Sequence, residues 1–132
     1  MAYLSATYLR AGRPTHAHAM AERLLVLGRT QGERSTEARG RHLCGEIARQ
    51  RGPRHAEAAR GHYQDALALA DALGMRPLQA HCHRGLGLLY AATGQREQAR
   101  VELSAASELY QAMEMTLWLP ETEAALSQAL GR

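Results

Sequence analysis

Apolar residues recur at helical spacing along the whole chain, and no stretch alternates between apolar and polar in the way a β-strand does. Glycine and proline residues separate the apolar stripes, as expected where one helix ends and the next begins. The pattern predicts seven helices, at about residues 2–11, 14–30, 35–52, 53–73, 77–92, 95–114 and 116–131. Within it, Ser35 or Thr36 is predicted to cap the third helix and Gly74 to end the fourth.

One repeat unit is clearest between His81 and Met113. It combines a helix that carries a small-residue notch with a second helix that carries one large apolar side chain between alanines. Its residues are Leu86, Gly87 and Tyr90, then Gly94 in the turn, then Ala99, Leu103 and Ala106. This is the spacing of a tetratricopeptide repeat, in which two antiparallel helices pack closely through the notch.

The same pattern recurs twice towards the N-terminus, at steps of about forty residues. The middle copy carries Cys44, Gly45, Gly52, Ala59, Tyr63 and Ala66, with its extra length in the turn at Gly52 and Pro53. The first copy is degraded and carries Leu4, Ser5, Tyr8, Gly12, Ala19 and Val26.

Three copies in phase predict an all-α fold, an α-solenoid of three antiparallel tetratricopeptide helix pairs that forms a right-handed superhelix. The predicted units are repeat 1 at about 1–33, repeat 2 at about 34–75, repeat 3 at about 76–115 and a C-terminal capping helix at about 116–131. The capping helix has a polar exposed side at Glu121, Glu123 and Gln128. Repeat 1 lacks its opening turn, so we expect either a piece of a longer solenoid or a covered N-terminal edge.

Composition favours one compact domain of 132 residues, 45% of them apolar. No apolar run reaches the roughly 20 residues of a membrane span, and no signal pattern is present, so the sequence predicts a cytoplasmic protein with no membrane partner. The two cysteines, Cys44 and Cys82, are predicted to be small core thiols rather than a redox pair.

The charge is unevenly distributed. All sixteen basic residues are arginine, and lysine, asparagine and phenylalanine are absent, which suggests a GC-rich bacterial genome. Residues 1–100 contain fifteen arginines and eight acids, whereas residues 101–132 contain one arginine and five acids. Such asymmetry can steer an encounter but does not identify the partner.

From Glu37 to the end, the chain resembles the C-terminal tetratricopeptide region of large bacterial signalling proteins that carry a class III adenylate/guanylate cyclase domain, a regulatory ATPase domain, or both. The resemblance is carried by residues 43–48, 62–63, 66–70, 73–78, 80–83, 85–87 and 115–119. It implies a protein-interaction or regulatory arm rather than a catalytic part, because the chain has neither the cyclase nor a phosphate-binding loop.

In tetratricopeptide proteins the concave groove is lined by positions 2, 5, 9, 12 and 13 of each first helix. These positions are Arg39, His42, Glu46, Arg49 and Gln50 in repeat 2, and His81, Arg84, Leu88, Ala91 and Ala92 in repeat 3. The groove is mixed, with a cationic bias and one acid, and a partner peptide with acidic side chains or a free C-terminus would fit it. The alternative is that these are simply solvated polar residues. Lysine and asparagine, which clamp a C-terminal carboxylate in the best-known groove type, are absent. Changing Arg49 and Arg84 together to glutamate is expected to abolish partner capture and preserve helicity.

The sequence predicts no catalytic residue, cofactor or metal site. The densest histidine clusters, at His16 and His18 and at His81 and His83, have their histidines two residues apart, so each pair points to different faces of its helix. The Gly85-Leu86-Gly87 segment lies mid-helix and is better explained by close packing than by phosphate binding.

The leading hypothesis is therefore a non-catalytic scaffold that binds a peptide or partner domain. The alternatives are self-assembly through the uncapped N-terminal edge and, less favoured, binding of RNA by a helical-repeat protein.

Overall fold

The computed structural model describes residues 14–131, which form six α-helices and contain no β-strand. The helices are α1 (Pro14–Gln31), α2 (Arg34–Gln50), α3 (Ala56–Leu73), α4 (Arg76–Ala92), α5 (Arg96–Ala112) and α6 (Leu119–Ala129). The predicted all-α class is confirmed for these residues. The predicted helix 2–11 and the N-terminal edge of repeat 1 lie outside the described residues.

Glycine ends α3 as predicted. Gly74 adopts the left-handed conformation with φ of 67°, and the following N–H, of Met75, donates to the Ala70 carbonyl at 2.9 Å. That bond satisfies one of the carbonyl groups that a helix end leaves without a partner. Gly94, with φ of 79°, likewise allows the predicted turn between α4 and α5.

The start of α2 differs from the prediction. The helix begins at Arg34 with Glu33 as its N-cap residue, so neither Ser35 nor Thr36 caps it. The Thr36 hydroxyl instead donates to the Glu33 carboxylate at 3.1 Å. The chain reverses directly after α1 at Gly32, which has φ of 68°, and the helix can therefore begin before the predicted cap.

The link between α2 and α3 also differs in detail. Pro53 opens a short 3-10 turn, Pro53–His55, and α3 itself begins at Ala56. Proline suits this position because its fixed φ is compatible with a first helical turn and its missing N–H is not needed there.

Each helix packs against the next one along the chain, and α2 also contacts α4 while α4 also contacts α6. Short connections of this kind favour an antiparallel arrangement of consecutive helices. These direct contacts place α4 beside both α2, the other predicted first helix, and α6, the predicted capping helix.

Two close helix seams explain the glycine positions. A Cβ atom added at Gly45 or at Gly85 would approach the Tyr63 ring to 2.9 Å or 2.3 Å, so this ring of α3 fills the space between α2 and α4. A Cβ added at Gly87 would lie 2.5 Å from Leu103 of α5. The interpretation of residues 85–87 as a close-packing segment is confirmed.

The predicted second helices share one pattern of buried residues. Counted from the first buried residue, the others lie four, seven and eleven residues later in the chain. In α3 the buried positions are Ala59, Tyr63, Ala66 and Ala70, and in α5 they are Ala99, Leu103, Ala106 and Tyr110. In α1 the same spacing is met by Ala17, Ala21, Leu24 and Gly28.

The predicted register of the first copy is therefore wrong by two residues. Ala19 is exposed and Val26 is 54% exposed, although both were assigned to the packed face. Ala17 lies 42 residues before Ala59, whereas Ala59 lies 40 before Ala99. The difference arises because the link after α2 occupies residues 51–55 and the link after α4 only residues 93–95.

The C-terminal helix α6 packs on α5 and buries Thr122, while Glu121, Glu123 and Gln128 are exposed as predicted. None of the described helices combines the length and apolar character that crossing a membrane demands.

The two cysteine side chains differ in how deeply they are buried. Cys82 is fully buried and Cys44 is partly buried against the core between α1 and α2. Burial raises the pKa of both thiols, which therefore stay protonated at neutral pH.

Candidate functional site

Glu46, in the middle of α2, is the centre of a polar cluster although it is only 9% exposed. The Tyr63 hydroxyl donates to its Oε1 at 2.8 Å, and the Arg49 guanidinium donates to its Oε2 at 3.0 Å. Nε of Arg49 also donates to the Tyr63 hydroxyl oxygen at 3.0 Å. Burial alone would raise the pKa of Glu46, but interactions with His42, Arg49 and Arg84 lower it to about 2. The carboxylate is thus ionised at neutral pH.

Two histidines lie side by side between α2 and α4. The His42 and His81 rings have centroids 6.0 Å apart, and Nδ1 of His81 lies 2.6 Å from the Tyr110 hydroxyl of α5. Burial lowers the pKa of both histidines, that of His81 to about 4, and the nearby Arg84 lowers both further. Both rings are therefore neutral at pH 7. Nε2 of His42 is 3.5 Å from Glu46 and has no hydrogen-bond partner within the described part of the chain.

Arg84 connects the cluster to α6. Its guanidinium is 2.7 Å from the Glu121 carboxylate and lies over the Trp118 ring, 4.8 Å from the centroid. Trp118 also meets His81 edge to face at 5.2 Å. Arg84 is 7% exposed, and its Nε has no hydrogen-bond partner among residues 14–131. One terminal nitrogen of the guanidinium therefore donates to Glu121, and Nε is a donor without an acceptor.

The contacts of α4 with α2 and with α6 involve equivalent positions in the predicted repeat numbering. His42 occupies position 5 of repeat 2 and contacts His81 at position 2 of repeat 3. Arg84 occupies position 5 of repeat 3 and pairs with Glu121, which a step of 40 residues equates with His81. Equivalent positions of the predicted repeats are thus in contact twice, once through two tilted rings and once through an ion pair.

The structure brings together five of the predicted groove residues, namely His42, Glu46, Arg49, His81 and Arg84. The remaining ones are spread along the same helices, with Arg39, Gln50, Ala91 and Ala92 exposed and Leu88 partly buried. Two of these residues, Glu46 and Arg84, are buried and have polar partners on neighbouring helices.

Sequence reasoning did not place Tyr63, Tyr110, Trp118 or Glu121 in this cluster. The two tyrosines carry a usable signal, since a buried phenol needs a hydrogen-bond partner for its hydroxyl. No comparable signal marks Glu121, whose partner is 37 residues away in the chain.

The cluster is suited to holding side chains in place rather than to acid–base chemistry. Glu46 is ionised and already accepts two hydrogen bonds, and the histidines are neutral. Within the described residues, no group of three or more His, Cys, Asp or Glu side chains is placed to hold a metal ion. The unused capacity consists of two buried nitrogen atoms, Nε of Arg84, which is a donor, and Nε2 of His42, whose role depends on the tautomer.

Neither a protein-family model nor a curated protein matches this chain.

Proposed function

We propose that the chain is a non-catalytic protein-interaction module, a solenoid of tetratricopeptide helix pairs that binds an acidic peptide or domain segment on the side formed by α2 and α4. Two features support the solenoid. The predicted first helices α2 and α4 contact each other, and α4 contacts the predicted capping helix α6. The second helices α1, α3 and α5 share one buried spacing, as stacked repeats require.

The observation that carries the binding proposal is the convergence of the predicted groove positions. Arg39, His42, Glu46 and Arg49 are spaced by three and four residues and so lie along one stripe of α2. This stripe adjoins α4 through His81, whose ring lies beside that of His42. Residues far apart in the chain thus form one continuous polar side.

The charge of this side favours an acidic partner. Arg39, Arg49 and Arg84 are cationic, and the carboxylates of Glu46 and Glu121 balance two of them. Arg39 is exposed and has no ion pair with any described residue, so it supplies the accessible positive charge. Arginine is well suited to carboxylates because its fork-shaped guanidinium can form two parallel hydrogen bonds.

The buried network beneath this side lowers the cost of binding. Arg49 is held at two points, by Glu46 and by Tyr63, so its rotamer is fixed before any partner arrives. A fixed side chain loses less conformational entropy on binding than a free one.

The test uses the exposed residue rather than the buried ones. Arg49→Glu with Arg84→Glu would place two carboxylates beside Glu46 and Glu121, so loss of folding would obscure any loss of binding. Arg39→Glu reverses a charge on the exposed part of the stripe. Arg23→Glu makes the same change at an exposed position of α1 and serves as the control.

The probe is a series of fluorescein-labelled decapeptides of increasing glutamate content, with a glutamine decapeptide as control. Fluorescence anisotropy should show binding that strengthens with peptide charge, weakens about tenfold or more in Arg39→Glu and is unchanged in Arg23→Glu. If Arg39→Glu and Arg23→Glu bound the peptide equally well, the binding site would not lie on the side formed by α2 and α4. If the wild-type chain bound none of the peptides, the proposal of an acidic partner would be wrong.

A further inference from the structure

The C-terminal helix α6 is held to the rest of the protein by few buried groups. Thr122 is the buried residue of α6, whereas α4 buries eight residues, including Leu86 and Cys82. The turn that leads into α6 contains Glu114 with φ of 56°, a conformation that residues other than glycine seldom adopt. Leu117 in the same segment is 74% exposed. Elements with few buried contacts open at the lowest free energy.

Two polar contacts between described residues tie α6 to the preceding helices, namely the ion pair of Glu121 with Arg84 and a hydrogen bond from Gln111 to Glu123. The ion pair is the one that reaches a buried group. Its two halves differ in accessibility, since the Glu121 side chain is 53% exposed and Arg84 is buried. The position of the Glu121 carboxylate is therefore open to solvent, although the guanidinium behind it is not. Another carboxylate could reach Arg84 by taking the place of Glu121.

The unpaired Nε of Arg84 makes such an exchange favourable. Glu121 accepts a hydrogen bond from one terminal nitrogen of the guanidinium, and Nε is left without a partner in the described residues. A carboxylate not attached to α6 can turn to accept from both nitrogens at once. Two parallel hydrogen bonds to a guanidinium are stronger than one.

We propose that Glu121 is an internal occupant of the partner-binding site, and that an acidic partner displaces it from Arg84 as α6 moves away. This inference rests on the proposed function, because it names what occupies that site before the partner binds. The partner group is a carboxylate, from either an acidic side chain or a free C-terminus. Displacement also changes the surroundings of Trp118, which directly precedes α6, faces the Arg84 guanidinium and is the one tryptophan in the sequence.

The experiment replaces the Glu121 carboxylate with an uncharged amide of nearly the same shape. Glu121→Gln is compared with Glu123→Gln, which lies on the same helix, is also exposed and contacts Gln111 rather than Arg84. The probes are labelled glutamate decapeptides with free and with amidated C-termini. Anisotropy gives the affinity, and Trp118 emission reports whether its surroundings change.

Removing an internal competitor should strengthen binding even though the fold loses an ion pair. Glu121→Gln is expected to bind the peptide about three- to tenfold more tightly than wild type, and Glu123→Gln to bind equally. Adding Arg84→Gln to Glu121→Gln should abolish this gain. Peptide binding to the wild type should change Trp118 emission. A loss of affinity on amidation would assign the C-terminal carboxylate, and no loss would assign the side chains, with either result supporting displacement.

The opposite results separate the two proposals. Unchanged or weaker binding by Glu121→Gln would mean that Glu121 only stabilises α6, and the inference would be wrong. If Arg39→Glu still weakened binding in that case, the proposed function would stand. Absence of binding to wild type and to Glu121→Gln alike would overturn both.

Discussion

The close contact between Gly85 and Tyr63 gives the sharpest test of how α3 and α4 pack. A Cβ atom at Gly85 would lie 2.3 Å from Cε1 and 2.4 Å from Cζ of Tyr63, where ordinary contacts are 3.4 Å or longer. The ring cannot move aside easily, because Glu46 and Arg49 hold its hydroxyl and Gly45 lies close to its Cδ1 and Cε1 atoms. Gly85→Ala is therefore predicted to destabilise the fold.

The size of the loss follows from two opposing contributions. Overpacking a core with one methyl group costs about 1–3 kcal/mol, and a ring fixed by hydrogen bonds places this site at the upper end. Alanine regains about 1 kcal/mol through its higher helix propensity. The net loss is about 2 kcal/mol, which for a domain of this size lowers the thermal midpoint by about 8 °C.

The same substitution at Gly61 serves as the matched control. Gly61 lies within α3, and a Cβ there would meet no atom within 4 Å. Gly61→Ala should therefore raise stability by about 0.5–1 kcal/mol, because alanine is favoured in a helix and nothing opposes it. Thermal and urea unfolding followed by circular dichroism would measure both. A Gly85→Ala variant as stable as wild type would refute the close-seam account.

Two further predictions concern the charges of the polar cluster. Acid should weaken the fold between about pH 6.5 and pH 4, because the pKa of His81 is lowered from 6.5 to about 4 in the folded protein and the unfolded chain therefore binds the proton more readily. The loss should continue below pH 4.5, since the pKa of Glu46 is lowered from 4.5 to about 2. His81→Gln should flatten the pH 4–6.5 part of the urea-unfolding profile, and an unchanged slope would assign the effect elsewhere. Arg49→Met should cost about 3–5 kcal/mol because it strands the buried Glu46, whereas Arg84→Met, which strands the half-exposed Glu121, should cost less than half as much. Equal losses in urea unfolding would contradict this ranking.

Much of the helical framework was predictable from spacing alone. The positions of α1 to α6 follow from apolar periodicity, and Gly74 and Gly94 mark turns because they take conformations that suit glycine. The packing notches at Gly45 and Gly87 also follow from the sequence, since a residue without a side chain in a helix is otherwise unfavourable.

The register of α1 could not be predicted by stepping back a fixed distance. Ala17 and Ala19 are both small and apolar, so composition does not separate the buried one from the exposed one. The longer link before α3 adds two residues to the step, and allowing for that link would have selected Ala17.

The interior of the polar cluster was harder to predict because its contacts join helices through side chains. Tyr63 occupies the position of Leu103 in the other repeat, which signals a hydroxyl that needs a partner. The identity of that partner depends on how α2 and α3 are rotated about their axes, and helical spacing does not determine this. Arg84 and Glu121 likewise meet only because α6 folds back onto α4.

The difference between Tyr63 and Leu103 also bears on how the chain avoids misassembly. Similar repeats can exchange partners during folding and become trapped in shuffled arrangements. If α5 took the place of α3, Leu103 would leave the Glu46 carboxylate and Arg49 without the hydroxyl they share. If α3 took the place of α5, the Tyr63 hydroxyl would be buried beside Gly87 without that carboxylate and guanidinium. Each exchange leaves a buried polar group without a hydrogen-bond partner. The Tyr63 hydroxyl therefore favours the native pairing of α3 with α2 and disfavours the exchanged pairings.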